Sequence, residues 1–490
     1  MKSAKELDEI AAKLRKNSYT PKERMAIPLQ EMPVQAPEVR IHNMDEVALG
    51  FSENQAIVEA SRCLGCKNHP CVEGCPVRID IPGFVSHVAS GDMKGAYSVI
   101  SQSSLLPAIC GRVCPQENQC QKFCTVGKMH KDIEQSVGIG RLERYVADAM
   151  SAQGYEIIPE VAAATGKKVA VVGSGPASIA AAADLRKAGH EVFMFEALHK
   201  GGGVLVYGIP EFRLPKKIVA SEIGKLEKMG VHIQTNFLVG RTMTLDALMK
   251  EEGFDAVFVG SGAGLPKLLG VPGENLVGVF SANEYLTRSN LMHSYDPDHA
   301  LTPAIKSEKV AVFGGGNVAM DAARTALRLG ASEVTIVYRR SENELPARHE
   351  EVGHAKEEGV HFLFLHAPVE VQGDDKGRVT GVVLQTCVLG EPDASGRRSP
   401  VPVEGSEKFY QFDTVIAAIG NGSNPLIKMT TPQIETNRRG NFIVNEETLE
   451  TSIPGVFAGG DIVLGAATVI LAMGQGRQAA KAMNEYLSGK

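Results

Sequence analysis

Eight of the nine cysteines in this 490-residue chain lie between Cys63 and Cys124, and only Cys387 lies elsewhere. The first run has the spacing C-x2-C-x4-C-x3-C-P, and the second has the spacing C-x3-C-P-x4-C-x3-C. The first residues, MKSAKELDEI, are charged and unlike an export signal, so we expect a reducing cytoplasm. In that compartment, clustered cysteines predict metal ligation rather than disulfides.

The spacing also indicates which metal centre is bound. Zinc ribbons favour two C-x2-C pairs, whereas this chain has one such pair, followed by the C-x3-C-P ending of bacterial ferredoxins. We therefore predict [4Fe–4S] clusters. In ferredoxins the cysteine before proline serves the other cluster, so we expect one cluster on Cys63, Cys66, Cys71 and a cysteine of the second run, and another on Cys75 and cysteines of that run. Spacing alone leaves the partners open, and Cys387 is expected to be a buried apolar thiol.

Composition narrows the class of protein. Apolar residues make up 43 % of the chain and charged residues 22 %, which is typical of globular proteins and excludes a disordered chain. The formal charge of -6 gives no overall basic field, so neither nucleic acid nor a membrane is expected as a partner. No run reaches the roughly 18 apolar residues of a membrane helix. At roughly 150 residues per domain, the length predicts about three domains.

The pattern of residues changes near position 160. Residues 1–160 show helical and loop patterns without alternating strands, so they predict an α-helical domain with two [4Fe–4S] clusters. Beyond it, short β runs alternate with glycine turns and alanine-rich helices, which is typical of α/β folds with parallel sheets. This plan starts twice, at Lys167 and at Glu308. We predict two Rossmann-like domains of the glutathione-reductase type: an FAD-binding domain in two segments, 161–300 and 410–490, around an NADPH-binding domain at 301–409, with hairpins within 372–408.

The first glycine fingerprint is VVGSGPAS, which follows a β run and opens a helical pattern. Gly173 and Gly175 take its first two positions, and Ser178 replaces the usual third glycine. Such a turn lets the backbone and a helix N-terminus approach a pyrophosphate. Glu196 ends the next β run, where a carboxylate accepts hydrogen bonds from ribose hydroxyls and repels a 2′-phosphate. The site therefore predicts FAD or NAD, with helix packing slightly loosened by Ser178.

The second fingerprint has the same plan but the opposite charge at its end. Gly314 and Gly316 form the turn, and the following β run ends in Arg339 and Arg340 with no acid at the position that reads the ribose. Two guanidiniums there match a 2′-phosphate, so the site predicts NADPH rather than NADH. Arg348 is expected to add to this basic pocket.

Together these sites predict a flavin reductase. Flavin joins two-electron transfer from a nicotinamide to one-electron transfer through iron–sulfur centres, so the cofactors perform the difficult steps and no catalytic side chain is expected.

The chain resembles the small (β) subunit of NADPH-dependent glutamate synthase over nearly its whole length. It is equally similar to the large subunit of NADH-dependent ferredoxin:NADP oxidoreductase, to sulfide dehydrogenase and to the N-terminal half of dihydropyrimidine dehydrogenase. The motifs that carry the resemblance include RCLGCKNHPCVEGCPV, GRVCPQENQCQKFC, GIGRLERYVADAM, GGVLVYGIPEFRLPK, GGGNVAMDAARTALRLGA and GVFAGGDIVLGAATVILAMGQGR.

The resemblance implies a complete set of ligands for each cluster. The first cluster takes Cys63, Cys66, Cys71 and Cys124. The second takes Cys75, Cys114, Cys120 and a ligand other than cysteine, which falls on Glu143, so that Cys110 is spare. Without the resemblance, Glu143 would be interpreted as a surface carboxylate on a helix.

The resemblance also implies the nucleotide contacts. The expected FAD contacts are Gly173, Gly175, Pro176, Ala177, Glu196, Gly203, Leu205, Gly208, Ile209, Asp461, Ala467, Thr468 and Val469. The expected NADPH contacts are Gly315, Gly316, Asn317, Val318, Arg339, Arg340, Ala418, Ile419 and Gly420.

Two enzymatic roles fit these features. In the first, the chain is the electron-input subunit of a larger glutamate synthase, because it has no cysteine before Cys63 to serve as an N-terminal glutaminase nucleophile. In the second, it belongs to an electron-bifurcating complex and supplies both ferredoxin and a smaller flavoprotein. A third role, a scaffold that the clusters merely stabilise, is not catalytic. The first two roles imply an oligomer.

Overall fold

The computed structural model describes residues 4–16, 19–296, 298–300, 302, 306–394 and 396–489. In these ranges the α-helices are α1 (Ala4–Lys16), α2 (Pro21–Met25), α3 (Pro37–Arg40), α4 (Glu53–Ser61), α5 (Pro70–Glu73), α6 (Ile81–Ser90), α7 (Met93–Ser103), α8 (Pro107–Val113), α9 (Thr125–His130), α10 (Ile139–Ala152), α11 (Pro176–Lys187), α12 (Val204–Tyr207), α13 (Lys216–Lys228), α14 (Leu245–Lys250), α15 (Ala282–Asn290), α16 (Asn317–Arg328), α17 (His349–Glu357), α18 (Leu426–Thr430), α19 (Asp461–Leu464) and α20 (Val469–Ser488).

The strands are β1 (Lys168–Val172), β2 (Glu191–Phe195), β3 (His232–Gln234), β4 (Ala256–Val259), β5 (Leu265–Pro266), β6 (Val279–Ser281), β7 (Lys309–Phe313), β8 (Glu333–Tyr338), β9 (His361–Phe364), β10 (His366–Gly373), β11 (Val379–Pro392), β12 (Arg398–Pro402), β13 (Lys408–Gln411), β14 (Thr414–Ala417), β15 (Asn421–Gly422) and β16 (Val456–Ala458). Short 3-10 turns lie at Gln116–Asn118, Gln121–Phe123, Ile133–Gln135 and Glu342–Glu344.

The N-terminal part folds as short helices joined by loops that carry the cysteines. Polar caps set where these helices begin: the Ser52 hydroxyl accepts from the Gln55 N–H at the start of α4, and the Gln55 side chain accepts from the Ser52 N–H in return. The helices bury one apolar core, which includes Phe84 and Ile100. This core holds the cysteine loops between helices and confirms the predicted helical domain.

The first Rossmann-like unit is a parallel five-stranded sheet in the order β16-β4-β1-β2-β3. Its central strands β1 and β4 are apolar and buried on both faces, and α11 packs against α20 on one of these faces. The turn between β1 and α11 needs glycine at position 173, where φ is +91° and a Cβ atom would lie 2.6 Å from the carbonyl oxygen of Gly260.

The second Rossmann-like unit is a parallel five-stranded sheet in the order β6-β14-β7-β8-β9. It includes β6 and β14, which the predicted boundaries at 300/301 and 409/410 assign to the FAD-binding segments. Both strands are three or four residues long, and such short apolar runs do not reveal which sheet they join. From the pairing, we propose that the NADPH-binding domain begins near residue 265 and ends near residue 422.

A small antiparallel sheet extends from the second unit. β11 pairs with β10, β12 and β13, and the hairpin tips fall at 374–378 and 393–397, within the predicted hairpin region. The observed architecture therefore confirms the predicted fold class. Across the described ranges, no helix has the length and apolarity that would let it cross a membrane.

Candidate cofactor sites

The first cysteine group consists of Cys63, Cys66, Cys71 and Cys124, whose side chains line one cavity. The cavity is otherwise apolar, apart from Thr125, whose hydroxyl oxygen lies 3.2 Å from the Cys66 sulfur. Cys63, Cys66 and Cys71 are half-buried, whereas Cys124 is buried. The structure therefore brings together the four residues assigned to the first cluster, at a site that approaches the surface.

The second group lies deeper in the same domain. Cys75, Cys114, Cys120 and Glu143 are all buried, and their side chains lie near enough for their charges to interact. Cys110, which the resemblance leaves spare, is also buried and lies beside Cys114. The predicted ligands of the second cluster therefore share one site.

The chemistry of these side chains fits iron–sulfur clusters. Burial raises the pKa of the Cys71 thiol to about 12 and the pKa of Glu143 to about 8, so both groups need a nearby positive charge to ionise near neutrality. One carboxylate oxygen of Glu143 is buried without a hydrogen-bond partner, an arrangement that ligation would relieve. Within the described ranges, no three His, Cys, Asp or Glu side chains close around a single ion.

A large cavity lies over the glycine turn between β1 and α11. Its volume is about 1860 Å³ with its mouth included, which is ample for a dinucleotide. Of the expected FAD contacts, those that line it are Gly173, Gly175, Pro176, Ala177, Glu196, Gly203, Gly208, Ile209, Asp461, Ala467, Thr468 and Val469.

Two carboxylates are fixed in the wall of this cavity. Glu196 accepts hydrogen bonds from the Ser174 hydroxyl and, at 2.8 Å, from the Leu198 N–H, so its carboxylate is held in one orientation at the end of β2. Asp461 begins α19 and accepts from the Ala467 N–H at 3.1 Å. Burial raises the pKa of Asp461 to about 6. Both groups can accept hydrogen bonds from the hydroxyl groups of a bound nucleotide.

Ser178, the departure from the glycine fingerprint, is fully buried within α11. Its hydroxyl lies 3.4 Å from the carbonyl oxygen of Gly260, next to the glycine turn. The Ser178 side chain therefore fits because it makes a weak hydrogen bond and because the residue that faces it after β4, Gly260, has no side chain.

Leu205 does not line the cavity. Its side chain is completely buried, and its carbonyl oxygen accepts from the Lys216 ammonium at 3.3 Å. The same ammonium donates to the carbonyl oxygens of Ile209 and, at 2.9 Å, Leu214. We name the segment 203–214 the flavin loop, because Gly203, Gly208 and Ile209 line the cavity. Lys216, which was not predicted, hydrogen-bonds to three carbonyl groups of this loop.

The cavity is the place where three domains meet. Val113 and Pro115, which flank Cys114, form part of its wall, and the Gln119 amide lies 3.4 Å from the Thr468 hydroxyl. From the other side, Asn317 and Val318 at the start of α16 line the same cavity. The cavity thus borders both the second cysteine group and the second glycine turn.

The second glycine turn is also closely packed. Gly315 faces the Tyr338 ring and Leu345, where a Cβ atom would clash. The Asn317 side chain accepts from the Arg348 N–H at 2.9 Å. Gly314 approaches the carbonyl of Ala418, the first of the three expected contacts at 418–420. The predicted residues at 315–318 and 418–420 therefore border one turn at the carboxyl edge of the second sheet.

The two arginines after β8 have different surroundings. Arg340 is buried and donates to the Arg398 carbonyl oxygen at 2.7 Å and to the Asp393 carboxylate at 2.7 Å. Arg339 is exposed. The nearby Arg398 guanidinium is half-exposed and pairs with Glu344 at 3.0 Å. Arg340 therefore anchors the β11–β12 hairpin, whereas the exposed Arg339 keeps its predicted role towards a 2′-phosphate as a prediction.

Arg348 lies elsewhere than expected. Its guanidinium donates to the Arg112 carbonyl oxygen at 2.8 Å and to the Gln116 side chain at 3.1 Å, both in the cysteine-rich domain. It also pairs with Glu350 at 2.8 Å. Arg348 therefore joins two domains instead of adding to the nucleotide pocket.

Cys387 is buried in β11, as predicted.

Sequence comparisons agree with this arrangement. Residues 40–155 match the family model described as dihydropyrimidine dehydrogenase domain II, 4Fe-4S cluster, and residues 167–485 match the pyridine nucleotide-disulphide oxidoreductase model. The glutamate synthase [NADPH] small chain of Halomonas elongata is 37 % identical, over 91 % of this chain and 94 % of its own length. The NADP(+)-dependent formate dehydrogenase subunit beta of Moorella thermoacetica is 37 % identical, over 94 % of this chain and 66 % of its own length.

A solved structure shares the fold of the nucleotide-binding part. Mycobacterium tuberculosis FprA in complex with NADPH has a TM-score of 0.55 and 22 % identity, and the match covers 66 % of this chain and 85 % of that chain. At this identity the likeness concerns the fold alone.

Fold, cavity and cysteine groups together define a flavin- and iron–sulfur-dependent NAD(P)H oxidoreductase. More narrowly, the chain belongs to the pyridine nucleotide-disulphide oxidoreductase family, in the glutamate synthase small-chain type that carries an N-terminal 4Fe-4S domain. The resemblance expected from the motifs is confirmed.

Proposed function

We propose that the chain takes electrons from NADPH at the three-domain cavity and delivers them singly to a protein partner at the first cysteine group. The observation that carries this proposal is the shared wall of the cavity, to which both Asn317 of the nucleotide domain and Pro115 beside Cys114 contribute. When bound, FAD exchanges a hydride for single electrons and the clusters carry those electrons.

The residues of the chain have separate tasks in this function. Glu196 and Asp461 hold the hydroxyl groups of FAD, and Arg339 selects the 2′-phosphate of NADPH. We propose that Cys63, Cys66, Cys71 and Cys124 bind one [4Fe–4S] cluster. Cys75, Cys114, Cys120 and Glu143 bind another.

The second cluster is tested by two changes at Glu143. Glu143→Leu removes the oxygen ligand at similar volume, so the protein should lose about half of its iron and acid-labile sulfide. Glu143→Gln keeps an oxygen donor and should retain both clusters. Purification under anaerobic conditions, followed by iron assay and electron paramagnetic resonance, distinguishes these outcomes. Full iron content in Glu143→Leu would show that this carboxylate is not a ligand.

The entry of electrons from NADPH is tested on the unmodified protein. Anaerobic addition of NADPH should bleach the flavin absorbance and then produce reduced-cluster signals, while NADH should act far more weakly. An unchanged flavin spectrum would contradict the proposal.

The names of the relatives support a multi-subunit setting, and we propose a cytoplasmic location for it. By analogy with the Halomonas small chain, a larger glutamate synthase subunit is the first partner to seek. Co-purification of a glutaminase-bearing subunit supports that role. Co-purification of a small flavoprotein instead supports an electron-bifurcating complex.

A further inference from the structure

We propose that the exposed surface around the first cysteine group is a docking surface for an acidic electron-transfer protein. The inference rests on the proposed function, because that function requires electrons to leave the chain. The surface carries four exposed lysines, which we name the basic rim: Lys67, Lys122, Lys128 and Lys131.

The segments that carry the basic rim contact one another: the turn Gln121–Phe123 packs against both α5 and α9, and Cys66 contacts Thr125. Lys67 directly follows Cys66, and Lys122 lies in the 3-10 turn Gln121–Phe123, which packs against α5. The Lys128 ammonium lies 5.4 Å from the centre of the Phe123 ring, within range of a cation–π contact. Three of the four cysteines in the group are half-buried here, whereas all members of the second group are buried.

The charge of this surface opposes the charge of the whole chain. The chain carries a formal charge of -6, yet residues 60–72 and 118–131 contain no aspartate or glutamate. Three of the carboxylates that flank these segments pair with arginines: Glu59 with Arg62 at 2.6 Å, Glu73 with Arg78 at 2.6 Å and Glu117 with Arg348 at 3.9 Å. The fourth, Asp132, accepts from the Glu134 N–H at 2.9 Å. The Arg24 guanidinium donates to the Cys63 carbonyl oxygen at 3.1 Å, which places a further positive charge beside the first cysteine group.

Apolar side chains lie within the rim. Met129 is 58 % exposed and Phe123 is 37 % exposed. Methionine and aromatic residues are enriched at protein interfaces, and a ring of charge around them is typical of surfaces that orient a partner during encounter. A partner with a carboxylate-rich face would be repelled by most of this acidic chain and attracted here. This directs its redox centre towards the half-buried cysteines.

The transfer itself needs no further reactant. A reduced cluster held by Cys63, Cys66, Cys71 and Cys124 would give up one electron, and the redox centre of the partner would take up that electron. No covalent bond forms or breaks, and no proton is required. NADPH supplies the electrons in pairs.

The test compares two double variants with the same change of net charge. Lys122→Glu/Lys128→Glu reverses half of the basic rim, while Lys376→Glu/Lys408→Glu reverses two exposed lysines of the antiparallel sheet. The anaerobic, cofactor-loaded proteins are titrated with an oxidised acidic 2[4Fe–4S] ferredoxin in a calorimeter, at low and high salt. In parallel, NADPH-driven reduction rates are measured with this ferredoxin and with basic cytochrome c.

We expect the rim variant to weaken ferredoxin binding and slow its reduction by about ten-fold at low salt, and to speed up cytochrome c reduction. Salt should weaken ferredoxin binding to the unmodified protein and have little effect on the rim variant. The sheet variant should match the unmodified protein. Equal losses in both variants, or ferredoxin binding that is insensitive to salt, would overturn the proposal.

The same samples separate this inference from the proposed function. Bleaching of flavin by NADPH and reduced-cluster signals report internal electron transfer without any partner. If these signals are normal and the rim variant binds ferredoxin normally, the docking surface is wrong while the function stands. If NADPH does not bleach the flavin of the unmodified protein, the function itself fails.

Discussion

Arg340 is a buried guanidinium whose hydrogen bonds go to Asp393 and to the carbonyl of Arg398, so its charge and geometry are already satisfied within the protein. Arg339, one position earlier, is exposed. Both arginines follow β8, which ends at Tyr338, and only Arg340 is buried against the β11–β12 hairpin. One of them is therefore free for a phosphate while the other holds the hairpin.

This difference predicts distinct effects of two substitutions. Arg339→Ala should raise the KM for NADPH by about ten-fold to a hundred-fold, the loss expected for a hydrogen bond between charged groups, and should leave the KM for NADH unchanged. Arg340→Ala should instead lower the thermal unfolding temperature. Steady-state kinetics with both nucleotides, together with a thermal melt, checks both expectations. Equal KM changes for NADPH and NADH in Arg339→Ala would contradict the assignment.

The spacing of residues in the sequence predicted the roles of the cysteines but not the positions of Glu143 and Arg348. The cysteine spacing predicted that the two runs cross-ligate, because ferredoxin-like geometry repeats wherever the spacing does. The location of Glu143 could not follow from local pattern, since the burial of a helix position depends on what packs over it. The same holds for Arg348, whose partners Arg112 and Gln116 lie more than 200 positions away in the chain.

The flavin loop depends on one buried amine. Lys216 begins α13 and donates to the carbonyl oxygens of Leu205, Ile209 and Leu214, which fixes the loop against the helix. Burial lowers the pKa of Lys216 to about 8. The loop also carries Phe212, whose carbonyl accepts from the Val47 N–H of the cysteine-rich domain at 2.9 Å. A single cation therefore sets the shape of a segment that touches two domains and the flavin cavity.

Replacing this amine should loosen the flavin loop. Lys216→Met leaves three carbonyls without their donor, so FAD affinity should fall by about ten-fold or more, while Lys217→Met on the exposed side should have no effect. Equilibrium dialysis of FAD, or flavin fluorescence on dilution, measures the change. Unaltered FAD affinity in Lys216→Met would rule out this positioning role.

The same substitution has a pH signature. The folded pKa of about 8 lies below the ordinary value of 10.5, so the unfolded state binds more protons between these values and the Lys216 contribution to stability rises with pH there. Below about pH 8 the cost of burying the ammonium is fully present. Chemical unfolding should therefore show the free energy of unfolding of the unmodified protein rising relative to Lys216→Met above about pH 8. A difference that stays constant with pH would contradict the depressed pKa.

Elements were predictable where their pattern is long and repeated. Each glycine fingerprint combines a strand, a tight turn and a helix, and the physics of that turn admits few alternatives. The short strands β6 and β14 carry no such pattern, so their sheet was decided by tertiary pairing. The flavin loop likewise has no regular periodicity that would point to Lys216.

At the scale of the whole molecule, a buried ionic network joins the cysteine-rich domain to the NADPH-binding domain. Arg40 of α3 is completely buried and donates to Glu358 at 2.7 Å. Glu358 also pairs with Arg324 at 2.8 Å and Arg328 at 2.7 Å. Burial alone would raise the pKa of Glu358, but the neighbouring arginines hold it well below its usual range. No local sequence pattern could foresee a contact between positions 318 residues apart.

The flavin-binding domain is tied to the NADPH-binding domain in the same region. Arg213 of the flavin loop pairs with Asp321 at 2.7 Å and with Glu351 at 3.1 Å. Two guanidinium groups contact the Phe212 ring, at 4.8 Å from its centre for Arg324 and 4.0 Å for Arg328. The three domains are thus held together by charges that water cannot reach, which favours one fixed arrangement around the cavity.

Removing Arg40 should weaken this arrangement more than removing a surface arginine. Arg40→Met leaves Glu358 with two arginines but removes one buried charge from the network. The free energy of unfolding should therefore fall by about 3 kcal/mol, the low end for a broken buried pair. Arg288→Met breaks a partly exposed pair with Glu284, so it should lower the free energy of unfolding by no more than about 0.5 kcal/mol. Because Arg40 links domains and Arg288 does not, only Arg40→Met should make the segment between α10 and β1 more sensitive to limited proteolysis. Equal protease sensitivity in the two variants would mean that the domains are held together by other contacts, such as those of Arg348.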